Sequence, residues 1–189
     1  MAPFKTSDDL VDGLQPRILD GLPAYGPPAI GFSSSGRGLH SEGLVVAFEG
    51  SGHNPWVGNF MRGMTKFDYV VEHPNKHHTI VIAGGEGYVV DPVSADLFSI
   101  LGAAITGLVN HPMGDRLVFN FQDISFGALG RDGWVWKSRR VSWDGLRSLH
   151  VSENNLEGEA WRYDNAWISF NLNLETGAVS GGSYSEPNP

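Results

Sequence analysis

The sequence contains no cysteine. Disulfides, iron–sulfur clusters and thiolate zinc sites are thereby excluded, and the absence suits a reducing compartment. Long hydrophobic runs are missing too. The most apolar tract, LFSILGAAITGLV at 97–109, is interrupted by glycine. It is shorter than the ~20 residues that cross a bilayer, so it reads as buried structure and no membrane contact is expected. The opening, MAPFKTSDDLVDGLQ, lacks the basic and apolar regions of a signal peptide. A cytoplasmic location is expected, and a periplasmic one only if an upstream signal was removed. Cations are scarce as well: 13 Lys and Arg stand against 21 Asp and Glu, a formal charge of −8. That balance argues against direct nucleic-acid binding, which needs cations to displace counterions. An acidic surface instead attracts a basic partner.

What is abundant is glycine, 25 residues in 189. The length predicts a single domain with room for a full core. In residues 1–21, Ser7 can cap a short N-terminal helix over DDLVDGLQ, with Asp8 and Asp9 at its positive end. PRILDGL suggests a second helical turn. Residues 22–43 are rich in Pro, Gly and Ser and read as an irregular connection. From 44 to 184 the chain reads as β: LVVAFEG, FDYVVEHP, TIVIAGG, GYVVDP, RLVFNFQ, WVWKSRRV, SLHVS, LEGEAWRY, WISFNLNL and AVSGGSY. GGEG offers the positive φ angles of a tight hairpin. Turn chemistry fills the gaps, including DISFGALGRDG. The segment 93–104, with Ser94 as a cap, also fits a helix. The fold expected is mainly β, an antiparallel twisted sheet, sandwich or partly open barrel with a short N-terminal helix. GYVVDPVSADLF and SFNLNLETGAVS echo each other as blade hairpins do, but the chain is short for an ordinary full propeller.

Tryptophan is concentrated in GWVWKSRRVSWDG at 133–145. Strand alternation places Trp134, Trp136, Ser138 and Arg140 on one face and Val135, Lys137, Arg139 and Val141 on the other. Aromatics and cations do not share a face, as a nucleic-acid platform requires. Core packing, with each indole N–H on a carbonyl, is the expectation. Trp143, beside the turn signal Asp144–Gly145, is expected to pack under that turn.

Residues able to carry chemistry are scattered. Glu72, His73, His77 and His78 fall within seven residues, but their spacing matches no zinc pattern, and a solvated turn is expected. No metal or cofactor is assigned. EGSGHNPW lacks the lysine and helix of a P-loop and the Gly-x-Ser-x-Gly of a nucleophile elbow. It reads as a loop in which His53, Asn54 and Trp56 are the ligand candidates. Ser51, His53, Asp68, His111, Asp115 and His150 form a pool from which no triad stands out. A hydrolase or carbohydrate-binding alternative draws on Glu153, Glu157, Glu159 and Asp164, with Trp161 and Trp167 as sugar platforms.

The charge pattern is more directive. Arg131, Lys137, Arg139, Arg140 and Arg147 precede an acidic run, and adjacent antiparallel strands can pair the two. The partner-binding candidates are Glu153, Glu157, Glu159, Trp161, Tyr163 and Asp164, acidic groups for steering and aromatics for anchoring. The stretches WVWKSRRVSWDG, WISFNLNLETGAVSGGSY, NPWVGNF and IVIAGGEGYVVDP resemble small bacterial all-β domains associated with secreted-toxin systems. Some of those act as immunity proteins. The resemblance spans about two-thirds of the chain and brings no catalytic residue. It implies a non-enzymatic inhibitor that binds a protein toxin, and the charge makes a basic toxin the expectation.

Overall fold

In a computed structural model, residues 15–35, 41–50 and 54–184 are described. They form sixteen strands and no helix. The strands are β1 (Gln15–Leu19), β2 (Ile30–Phe32), β3 (Leu44–Glu49), β4 (Trp56–Phe60), β5 (Tyr69–Glu72), β6 (Thr79–Ala83), β7 (Glu86–Val90) and β8 (Leu97–Gly102). They continue as β9 (Ile105–Asn110), β10 (Leu117–Phe121), β11 (Ser125–Gly130), β12 (Gly133–Lys137), β13 (Leu146–Ser152), β14 (Asn155–Trp161), β15 (Trp167–Asn173) and β16 (Val179–Gly181).

They divide into four open four-stranded sheets: A, in the order β1-β3-β4-β2; B, β5 to β8; C, β9 to β12; and D, β13 to β16. B, C and D are antiparallel meanders in sequence order. In A, β2 returns parallel to β4. Second strands begin at Thr79, Leu117 and Asn155, an even spacing. Four-stranded meanders repeated in sequence are the units of propeller blades.

Each sheet packs its face on the next. Val46, Phe48 and Phe60 of A meet Val81, Tyr88 and Val90 of B. Ile80, Ile82 and Val89, on the other face of B, meet Phe119 and Leu129 of C. Val118, Phe126 and Ala128 of C meet Leu156, Phe170 and Leu172 of D. Strands β6, β7, β10 and β11 are covered on both sides, so they read as near-continuous apolar runs. Strand β14 alternates strictly, with Leu156, Gly158 and Ala160 buried and Asn155, Glu157, Glu159 and Trp161 half-exposed. Among the described residues, no core cluster, ion pair or hydrogen bond joins D to A.

Several sequence expectations need correction. The helix over 7–14 lies outside the described residues. Its continuation, Pro16–Leu19, is not helical: it belongs to β1, whose Ile18 pairs with Val46. Proline sits there at a sheet edge, where a missing N–H is tolerated. The connection 22–43 contains β2, and the segment 93–104 contains the edge strand β8 rather than a helix. SFGALG was read as turn and is the buried strand β11. Its Gly127 lies under Trp134, where a Cβ would come within 3.0 Å of the ring. The glycine that weakened the strand signal is the socket for an aromatic neighbour. The GGEG hairpin is as read, with Gly84 at φ 52° and Gly85 at φ 81°.

The turns repeat as well as the strands. His73–His78 joins β5 to β6, and His111–Arg116 joins β9 to β10. In each, the histidine N–H donates to the sixth residue's carbonyl, and the fourth residue donates back to the histidine carbonyl. That fourth residue has positive φ, Lys76 at 64° and Gly114 at 71°. The histidine Nδ1 accepts an N–H from the third residue, Asn75 at 3.0 Å and Met113 at 3.3 Å. The sequence echo is a second repeated turn. Asp91 and Asn173 each use a side-chain oxygen to accept two following backbone N–H groups. The fifth residue is left-handed in both, Ala95 at 61° and Gly177 at 72°. Each turn also receives an indole from the preceding sheet: Trp56 Nε1 donates to Pro92 O at 2.7 Å, and Trp136 Nε1 to Leu174 O at 3.0 Å.

Candidate functional site

The tryptophan stretch is split by a bulge. Ala128 opposes Trp136 and Leu129 opposes Trp134, so Val135 is the extra residue. An inserted residue breaks the alternation. Trp134 therefore enters the B–C core beside Phe119 and Phe121, and Trp136 enters the C–D core. The shared face expected for the two indoles is not formed. Lys137 lies over the Trp134 ring at 5.0 Å. Arg139 donates to the carbonyls of Arg140, Gly181 and Tyr184, and Arg140 to those of Ser142 and Trp143. These arginines fasten the end of the described chain to sheet C. They do not meet the acidic run.

The outward face of D carries that run. Leu156, Gly158 and Ala160 point into the C–D core, so Glu157, Glu159 and Trp161 share the other face. Trp167, Ser169 and Asn171 of β15 lie opposite them. Basic side chains from β13 complete the surface. Arg147 Nε donates to Glu159 Oε2 at 2.8 Å and its guanidinium stacks over Trp167 at 4.1 Å. His150 Nε2 lies 3.3 Å from Glu157 Oε2, and Asn171 Nδ2 donates to Glu157 Oε1 at 3.2 Å. The cross-strand pairing expected from the charge pattern thus occurs at Arg147–Glu159 alone within the basic segment. Sequence reasoning placed His150 only in the pool of triad residues and passed over Asn171; their signal was their register opposite Glu157.

One end of this face is aromatic. Trp143 is 40% exposed and meets Tyr163 edge-on at 5.9 Å and Tyr184 at 5.1 Å. Arg140 lies over Tyr184 at 4.6 Å. Trp143 is thus part of an exposed cluster rather than packed under its turn. Tyr163, 71% exposed, and Asp164 occupy the β14–β15 turn at this end. Arg162 grips Asp164 with two hydrogen bonds, which hold the Asp164 carboxyl below its ordinary range against a small desolvation effect. Glu153 lies in the β13–β14 turn at the opposite end. Of the six partner-binding candidates, five therefore gather on one face and its aromatic end, and Glu153 stands apart.

The remaining candidates do not gather with this face. Trp56 is core, and Ser51 and His53 lie outside the described residues. His73 is buried, and His78 Nδ1 lies 2.8 Å from the Asn75 amide. Burial, then the neighbouring His78, pushes His73 below the ordinary histidine range. Among the described residues, no three His, Asp or Glu side chains are grouped to hold a metal ion. An open cleft of about 270 Å³ is lined by residues 22–29 and Asn59, with no carboxylate or histidine in its wall.

Comparisons with known proteins add little to this geometry. No protein-family model matches the chain, and no curated protein matches it. A chain in a crystal structure of the eukaryotic initiation factor aligns with 75% of this chain and 40% of its own length, at 11% identity and a TM-score of 0.41. The chain thus spans well under two-thirds of that protein, and a likeness at this level carries no argument about function.

Proposed function

We propose that the chain is a non-enzymatic protein-binding module whose partner docks on the outward face of sheet D and on the aromatic end of that face. One observation carries this reading. Both faces of B and C are buried by neighbouring sheets, whereas the outward face of D has no covering sheet among the described residues. That face presents Trp161, Trp167 and Arg147, the residue types that dominate binding energy at protein interfaces. Neighbouring ion pairs lie around them as a polar surround. A basic toxin, bound by an immunity-type inhibitor, is the narrower form of the proposal. The net charge of −8 favours it. Local charge favours it less, because Glu157 and Glu159 already face His150 and Arg147. Lysine at both positions would set like charges opposite each other and damage the sheet itself, so a neutral probe is the better test.

A photo-crosslinking phenylalanine analogue at Ser169, on the outward face, is compared in the native cell with one at Ser99 on the β8 edge. A protein adduct at 169 and none at 99 supports the reading. Glycan adducts at 169 favour the carbohydrate alternative, which uses the same Trp161 and Trp167. Equal adducts at both positions, or none at 169, contradict it.

A further inference from the structure

The aromatic end of sheet D is rich in hydrogen-bond donors and nearly empty of acceptors. Trp143 stands at its centre, with Tyr163 at 87° and 5.9 Å and Tyr184 at 63° and 5.1 Å. Rings set edge to face leave notches between them in which a narrow ridge can sit. Trp143 Nε1 and the Tyr163 and Tyr184 hydroxyls have no hydrogen-bond partner among the described residues. Arg140 reaches the Ser142 and Trp143 carbonyls through Nε and Nη2, and its Nη1 remains open. The acceptors around them are spent. Arg162 holds both Asp164 oxygens. The Trp161 carbonyl accepts from the Ser183 hydroxyl and that of Gly145 from the Ser142 hydroxyl. Arg139 occupies the carbonyls of Gly181 and Tyr184. Of the carboxylates here, Asp144 alone has no partner among the described residues.

We propose that this end binds a proline-rich segment of a protein partner, held as a polyproline II helix. The proposal rests on the docking reading above and names what the partner presents there. A proline residue has a carbonyl and no N–H, so a run of them calls for donors only. Its rings pack on aromatic side chains, and its helix is formed before binding, so little freedom is lost. Other ligands fit less well. Sugar hydroxyls donate as well as accept, and the acceptors they need are taken. A quaternary ammonium needs open ring faces, but Arg140 already lies over Trp143 at 5.6 Å and Tyr184 at 4.6 Å. A nucleic-acid strand is opposed by the net charge of −8.

The test titrates the purified chain with an end-blocked polyproline peptide and follows the indole N–H resonances. The Trp143 resonance shifts saturably. Those of Trp56 and Trp136, whose N–H groups are bonded in the core, stay in place and report an intact fold. A glycine–serine peptide of equal length moves nothing. By calorimetry, Y163A, on an exposed turn, weakens binding about tenfold. W143F, which keeps a ring and loses the N–H, weakens it several-fold. Should either variant disturb the Trp56 and Trp136 resonances, Y163F removes a hydroxyl alone and still weakens binding. Several results overturn the proposal: no saturable shift at Trp143, a shift centred on Trp161 or Trp167, an equal response to the glycine–serine peptide, or unchanged affinity in the variants. So do tighter binding of oligothymidylate, and a concentration-dependent shift of the peptide-free chain, which would seat residues 22–28 of a second copy there. A protein adduct at Ser169 without polyproline binding ends this proposal and leaves the docking reading in place. Polyproline binding at Trp143 without an adduct at Ser169 does the reverse.

Discussion

Lys76 and Gly114 occupy the same position in two copies of one turn, at φ 64° and 71°. A left-handed conformation costs an L-residue roughly 1–2 kcal/mol that glycine escapes. Glycine returns part of that through its freedom in the unfolded chain. K76G should therefore stabilise the protein by up to about 1 kcal/mol, and G114A should destabilise it by about 1 kcal/mol. The ion pair of Lys76 with Glu72 is mostly exposed and contributes little. Urea unfolding of the two variants checks the pair, and equal signs would show that the turns are not equivalent. Both histidine–proline pairs were visible in the sequence. The first lies beside His77 and His78, a grouping that suggests metal chemistry and masks the repeat. What His73 does is local: it accepts a backbone N–H and turns the chain.

At the scale of elements, legibility followed composition. Strands with unbroken apolar or alternating patterns, such as β3, β6, β10, β14 and β15, could be read directly. Those that failed contain the residues their neighbours demand. Gly58 in β4 lies where a side chain would strike the Phe60 ring, and Gly127 in β11 lies under Trp134. Pairing depends on partners far away in sequence, so local propensity did not reveal that β1 joins β3 or that β8 joins β7. The bulge at Val135 was equally invisible, because one extra residue changes the faces of both tryptophans without changing their types. Its consequence is measurable. W136F keeps the ring and removes the N–H that satisfies Leu174 O, and it shrinks the C–D core. A loss of about 2–3 kcal/mol is expected, with an unchanged dependence on denaturant concentration. A loss under ~0.5 kcal/mol would mean that the indole does not join the sheets.

The whole molecule is a series of four sheets in which B and C are covered on both faces, while among the described residues no sheet covers the second face of A or the outward face of D. The outward face of D is the one that carries the acidic run. Its alternation in β14 was legible, and so were Glu157, Glu159 and Trp161 as neighbours. The side chains that meet the glutamates were not, since Arg147 and His150 reach them only through register across a bulge. The account rests on that face being where a partner binds, and hydroxyl-radical footprinting reads it most directly. In the isolated chain, Trp143 and Tyr163 should be oxidised readily, and the core residue Trp56 slowly. In extract of the native cell, Trp143, Tyr163, Trp161 and Trp167 should be protected several-fold, while Tyr25 and Phe98, exposed elsewhere, stay as reactive as before. Unchanged reactivity on the sheet D face, or protection spread evenly over Tyr25 and Phe98 as well, would contradict the account.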